Sequence, residues 1–101
     1  MKMVMVVYRQ SLDQEIRRLI KSLDLEAFTE SPKVVGIGEA GHAFSSLTWP
    51  GHHAILLSAL EDNQAVQVIG ALQEFRDHMA QLGGGAKIPM RVFTLPCDRV
   101  I

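Results

Sequence analysis

The stretch Met3-Val4-Met5-Val6-Val7-Tyr8-Arg9-Gln10-Ser11-Leu12-Asp13-Gln14-Glu15-Ile16-Arg17-Arg18-Leu19-Ile20-Lys21-Ser22-Leu23 decides the fold. Met3 to Tyr8 is short, β-rich and apolar throughout, the pattern of a strand covered on both faces. At Ser11-Leu12-Asp13-Gln14 the pattern changes. Ser11 followed three residues later by Gln14 has the form of a capping box, in which Ser11 caps and Gln14 reaches back. Leu12, Ile16, Leu19, Ile20 and Leu23 then recur at helical spacing, with Glu15, Arg17, Arg18 and Lys21 on the other face. A strand that runs straight into an amphipathic helix is the first half of a split βαβ unit.

The remaining chain repeats this pattern, though not its residues. The first helix should end near Asp24. Ala27 to Val35 reads as a second strand with a bulge at Ser31-Pro32, because proline cannot donate to a ladder. Ala54 to Leu60 is a third strand. Asp62 or Asn63 caps a second helix whose inward positions are Ala65, Val68, Ile69, Leu72, Phe75 and Met79. Gly70 inside it costs up to about 1 kcal/mol against alanine, and close packing on the sheet is its expected role. Gly83-Gly84-Gly85 breaks the helix. Met90 to Leu95 is the fourth strand, and Pro96 ends it. The order β-α-β-β-α-β predicts an α+β, ferredoxin-like fold: a four-stranded antiparallel sheet with two helices on one face. With no linker or low-complexity tract, residues 1–101 read as a single domain. The first and third strands are apolar on both sides, so the second sheet face needs a cover. Self-association is the economical one.

Composition narrows the function. The 101 residues are 48% hydrophobic and 21% charged, a globular balance. A net charge of −1 supplies no basic field for nucleic acid. Cys97 stands alone and forms no internal disulfide, which fits a reducing compartment. The apolar N-terminal run is far short of a membrane span and lacks a small-residue cleavage site. A cytoplasmic protein without direct membrane insertion is expected.

Chemistry concentrates between strands two and three. Gly36-Ile37-Gly38-Glu39-Ala40-Gly41-His42 and Trp49-Pro50-Gly51-His52-His53 hold the only Trp and three of the four histidines. Glycine lets backbone approach a ligand, which makes Gly36 and Gly38 candidates for effector binding. Glu39, Gly41, His42, Trp49, Pro50 and Gly51 are candidates for contact with a partner. Trp49 can stack on a ligand or anchor a partner, or it can plug the loop onto the sheet. Gly83, Gly84 and Gly85 with Lys87 suit an anion nest, or a helix C-cap followed by a turn. His42, His52 and His53 can ligate a divalent metal through neutral imidazoles, but solvated loop histidines are the plainer reading. His78 falls on the outer face of the second helix. No Ser-His-Asp or paired-carboxylate constellation stands out, so no catalytic residue is named and a non-enzymatic role is expected.

On these residues the chain resembles the PII-like signalling proteins. The element order, the long connection between strands two and three, and the Gly-rich turn before strand four carry the resemblance. The whole chain is similar to small PII-like proteins with a short Gly-rich segment, a Trp49-Pro50-Gly51 motif and the ending Leu95-Pro96-Cys97-Asp98-Arg99-Val100-Ile101. The resemblance implies a homotrimer whose sheets line a central cavity. It implies an outward-projecting β2–β3 loop, the T-loop of PII. It also implies effector binding in clefts between subunits, read out by a target protein such as a transporter or an enzyme. Nucleotide-binding PII proteins cradle phosphates with Thr-Gly-x-x-Gly-Asp-Gly-Lys before the last strand. Here Leu82-Gly83-Gly84-Gly85-Ala86-Lys87-Ile88 keeps the glycines and the lysine but not the spacing or the Asp. The implied effector is an adenine nucleotide or another small anion, and no metal cofactor is expected. The uridylylated T-loop tyrosine has no counterpart, since the only tyrosine is Tyr8. An alternative is a divalent-metal tolerance protein similar to CutA, supported by the loop histidines alone. Acylphosphatases share the element order, but Arg9 is followed by Gln10-Ser11 rather than a Gly-rich cradle, and the only Asn is Asn63.

Overall fold

Burial alternates along Lys2–Arg9, which forms β1. Val4, Val6 and Tyr8 are buried, while Met3, Met5 and Val7 face the other way and are half-buried. This computed structural model describes residues 1–25, 27–34, 52–85 and 87–101. Asp13–Ser22 forms α1, entered through a 3₁₀ turn at Gln10–Leu12. The cap expected at Ser11 is not made: Leu12 precedes the helix, and no side chain caps it. The turn that buries Leu12 leaves Ser11 exposed, so burial of the leucine outweighs the cap. Asp13 and Glu15 instead place negative charge at the helix N-terminus, where the helix dipole favours it. Asp24, at φ 56, reverses the chain in the left-handed region that Asp tolerates.

Thr29–Val34 forms β2, with an irregular register between Ser31 and Val34 that places the bulge around Pro32 as expected. His53–Leu60 forms β3 and Asp62–Leu82 forms α2. Glu61, not Asp62 or Asn63, holds the cap position of α2. The Glu61 N–H donates to Gln64 Oε1 at 3.4 Å, because Gln64 stands three residues on, at capping-box spacing. Asn63 Oδ1 accepts from the Gln64 N–H at 2.9 Å. Met90–Pro96 forms β4.

The sheet order is β2-β3-β1-β4 and every pairing is antiparallel. Met5 of β1 lies opposite Leu57 of β3 and Phe93 of β4. Each helix therefore returns the chain across an intervening strand, which makes the ferredoxin-like α+β fold. Ile16 and Ile20 of α1 and Ala65, Val68 and Leu72 of α2 pack with Val4, Val6, Tyr8, Leu56 and Leu60 into one core. Phe75 and Met79 pack against its margin. Gly70 departs from expectation. A Cβ there would meet nothing within 4 Å, so no close approach to the sheet requires a glycine. The outer sheet face carries Met3, Met5, Val7, Ile55 and Leu57, with Phe93 and Leu95 49% and 46% exposed. Among the described residues, no helix is long and apolar enough to cross a membrane.

Candidate functional site

Strand alternation carries the outer-face series Met3, Met5, Val7 on to Arg9, the last residue of β1. Arg9 lies directly opposite His53, the first residue of β3. The Arg9 N–H donates to the Pro89 carbonyl at 3.0 Å, and the Gln10 N–H donates to the His52 carbonyl at 2.9 Å. These two bonds tie the end of β1 to the start of β3 and to the approach to β4. Arg91 of β4 stands opposite Val7 on the same face.

The outer face continues around the start of β4 into a cleft of about 730 Å³. That volume lies inside the range of small-molecule sites, roughly 300–1,000 Å³. Arg9, His53 and Arg91 line it from the sheet, Gly85 and Lys87 from the α2–β4 connection, and Arg76 and Asp77 from α2. Val7, Ile88 and Met90 supply apolar wall. Arg76 Nε lies 3.2 Å from Asp77 Oδ1, and both side chains are well exposed. His53 is only 9% exposed. Burial first, then the charges of Arg9 and His52, hold its imidazole pKa below the ordinary value, so the ring is neutral at pH 7. Burial also lowers the pKa of the Arg9 guanidinium, which stays charged because the reference value is so high. A partly apolar cleft lined by several cationic side chains can accommodate an anion with an organic part.

The glycines take a different role from the lysine beside them. Gly84 and Gly85 have φ of 70 and 88. The Gly83 N–H donates to the Met79 carbonyl at 3.0 Å, Gly84 to Gln81 at 3.2 Å, and Gly85 to Ala80 at 2.7 Å. The last two bonds form a Schellman motif closing α2. All three N–H groups thus point into the helix end, while Lys87 is exposed at the cleft. Gly36, Gly38, Glu39, Gly41, His42, Trp49, Pro50 and Gly51 lie outside the described residues. Of the candidate metal ligands His42, His52 and His53, only His53 is a described lining residue of the cleft. Among the described residues, no group of three His, Cys, Asp or Glu is placed to hold a metal ion. Arg9, Arg76 and Arg91 are site residues that the sequence reading missed as such. Their signal is phase for two of them: Arg9 follows Met3, Met5 and Val7, and Arg91 precedes Phe93 and Leu95, at every second position.

A polar cluster links β1, α1 and β2. The Tyr8 hydroxyl lies 2.9 Å from Asp13 Oδ1 and 3.3 Å from Glu30 Oε1, sharing its proton between them. Arg17 joins the two carboxylates, Nε 2.8 Å from Asp13 Oδ2 and Nη2 2.7 Å from Glu30 Oε2. Burial pushes the Tyr8 phenol well up, reinforced by both carboxylates. For Asp13, burial acts upward, but hydrogen bonds from Tyr8 and Arg17 prevail and hold the carboxyl below its usual range.

No protein-family model and no curated protein sequence matches the chain. Solved structures do. A protein of Thermus thermophilus described as PII-like and signalling is 19% identical, over 93% of this chain and 85% of its own, at a TM-score of 0.56. CPII of Thiomonas intermedia, a nitrogen regulatory PII-like protein solved with ADP, AMP and bicarbonate, is 12% identical, over 97% and 88%, at 0.59. CPII solved with ADP and bicarbonate is 12% identical over the same shares, at 0.61. At these identities the likeness is one of architecture, and the chain has the fold of the PII-like signalling proteins.

Proposed function

We propose that this chain is a PII-like regulatory protein that binds a small anionic effector, an adenine nucleotide or another small anion, in the cleft around the start of β4. The observation that carries this reading is the convergence of Arg9, Lys87 and Arg91 on one partly apolar cleft. The ADP, AMP and bicarbonate held by a protein of the same fold support it. The working unit is a homotrimer in which the apolar outer sheet faces meet and the clefts lie between subunits. Its role is regulatory, not enzymatic. Gly36 and Gly38 assist at the effector site, and Glu39, Gly41, His42, Trp49, Pro50 and Gly51 present a surface to a target protein. Effector binding reaches that segment through His53, two residues beyond Gly51. Calorimetric titration with ADP, AMP and bicarbonate, singly and combined, tests the reading. Binding of at least one, weakened by Arg9→Gln, is the expected result. Failure of all three to bind would remove nucleotide and bicarbonate as effectors.

A further inference from the structure

β2 brings little apolar burial to the sheet. Thr29, Ser31, Pro32 and Lys33 are exposed, and Glu30 and Val34 are half-buried. The strand lies at one edge, beside β3, and its register breaks between Ser31 and Val34. The neighbouring ladder shows how few bonds this leaves. The Gln10 N–H donates to the His52 carbonyl at 2.9 Å, in continuation of the β1–β3 register, so the even-numbered residues of β3 are the ones bonded to β1. Ile55 and Leu57 then turn their N–H and C=O groups toward β2, opposite Ser31 and Thr29. Those two pairs are the regular ladder of β2 ahead of the break.

Charge fastens the strand to the helix side. Glu30 stands opposite the buried Leu56, and its side chain is 12% exposed. Glu30 Oε1 lies 3.3 Å from the Tyr8 hydroxyl, and Oε2 lies 2.7 Å from Arg17 Nη2. Arg17 Nε lies 2.8 Å from Asp13 Oδ2, and Asp13 Oδ1 accepts from the Tyr8 hydroxyl at 2.9 Å. The four side chains close a ring, with Tyr8 on β1, Asp13 and Arg17 on α1, and Glu30 on β2. A carboxylate so enclosed is stable only while its partners are in place, because removing one leaves charge uncompensated. Glu30 can recover solvation only by turning outward, and that movement carries β2 with it. Arg17, half exposed on the surface of α1, is the member that solvent reaches.

We propose that the Tyr8–Asp13–Arg17–Glu30 ring is a latch for β2: closed, it keeps the edge strand on the sheet, and broken, it lets β2 leave as a unit while the core around β1, β3 and the helices stays folded. Release would leave Ile55 and Leu57 as an unpaired sheet edge. The fold thus has a built-in opening step of low cost at one edge. The inference is independent of where the effector binds.

Amide exchange resolved residue by residue by NMR on the full chain tests it. In the parent, the amides of Thr29, Ser31, Ile55 and Leu57 should exchange together, and faster than those of Leu56 and Ser58, which bond to β1. Arg17→Met removes both ion pairs and keeps the aliphatic stem on the helix surface. It should speed the first four amides roughly tenfold or more and leave Leu56 and Ser58 unchanged. Neighbouring residues of β3 would then part company, which a uniform loss of stability cannot produce. An equal acceleration of all six amides in Arg17→Met, or none at all, would overturn the latch. So would a parent in which Ile55 and Leu57 exchange as slowly as Leu56, and that comparison needs no variant to fold.

Discussion

The Tyr8 hydroxyl is a polar group that the buried phase of the first strand carries to the helices, and it contributes to how that corner responds to pH. Its proton serves Asp13 and Glu30, which Arg17 also joins. Tyr8→Phe removes the donor and keeps the buried ring, and should destabilise by about 1.5–3 kcal/mol, the range for hydrogen bonds to charged groups. The phenol pKa is raised in the folded chain. Its contribution is therefore complete below the unfolded value near ~10 and is lost progressively above it. The parent should lose stability on the alkaline side faster than Tyr8→Phe, as denaturant midpoints in alkaline buffers would show; parallel profiles would contradict the assignment. Asp13 has the opposite sign. Its lowered pKa contributes stability above the unfolded carboxyl value near ~3.9 that is lost as pH falls through the folded one. Lys87, exposed beside the cleft, should weaken an anionic ligand by roughly 1–3 kcal/mol when changed to Ala. The thermal midpoint of the ligand-free protein should barely move, and equal affinity in calorimetry would remove Lys87 from the site. The sequence offered Lys87 through its glycine neighbours, whereas for Arg9 and Arg91 it held only their phase along the strands, which does not say that the two meet. Those two converge only because the pairing of β1 with β3 and β4 fixes which strand ends meet. A register is a property of the sheet and is not written in any one segment.

Elements were the most legible scale, because hydrophobic period is a local property. Met3 to Tyr8, Ala54 to Leu60 and Met90 to Leu95 each fall within the observed strands, and the bulge at Pro32 follows from a missing N–H. Caps were less legible. Ser11-x-x-Gln14 and Glu61-x-x-Gln64 have the same spacing, yet only the second starts a helix. Burial of Leu12 decides the first case, and burial is a tertiary quantity. Two glycines of α2 and its end separate packing from conformation. Gly70 is helical with open space around its Cβ position, so Gly70→Ala should stabilise by up to about 1 kcal/mol through helix propensity. Gly84, at φ 70 with equally open space, is held by backbone conformation instead. Gly84→Ala should destabilise by about 1–2 kcal/mol, the cost of the left-handed region for an L-residue. Chemical denaturation of the two variants checks both signs. Destabilisation by Gly70→Ala would mean that a neighbouring copy occupies the open space.

At the scale of the whole molecule, the decisive feature is a sheet with one face under helices and the other apolar. Met5, Leu57 and Phe93 stand side by side across three strands of that outer face, with Met3, Val7, Ile55 and Leu95 around them. A soluble sheet with one solvated face ordinarily alternates apolar and polar residues, and β1 does not. Such a face calls for a cover, and the proposed trimer would supply one from three copies of it around an axis. Phe93 tests this well, because at 49% exposure it contributes little to the core of its own chain. Phe93→Asp places a carboxylate where the copies would meet, and should convert a species of three chain masses in sedimentation equilibrium into single folded chains. A parent that sediments as a monomer at micromolar concentration would overturn the trimer directly. The same variant locates the effector site. Phe93 does not line the cleft that holds Arg9, His53 and Lys87. If that cleft is completed by a neighbouring subunit, Phe93→Asp should weaken ADP binding together with the loss of assembly. If the dissociated chain binds ADP as tightly as the parent, the whole site lies within one copy, and assembly serves the signal rather than the binding.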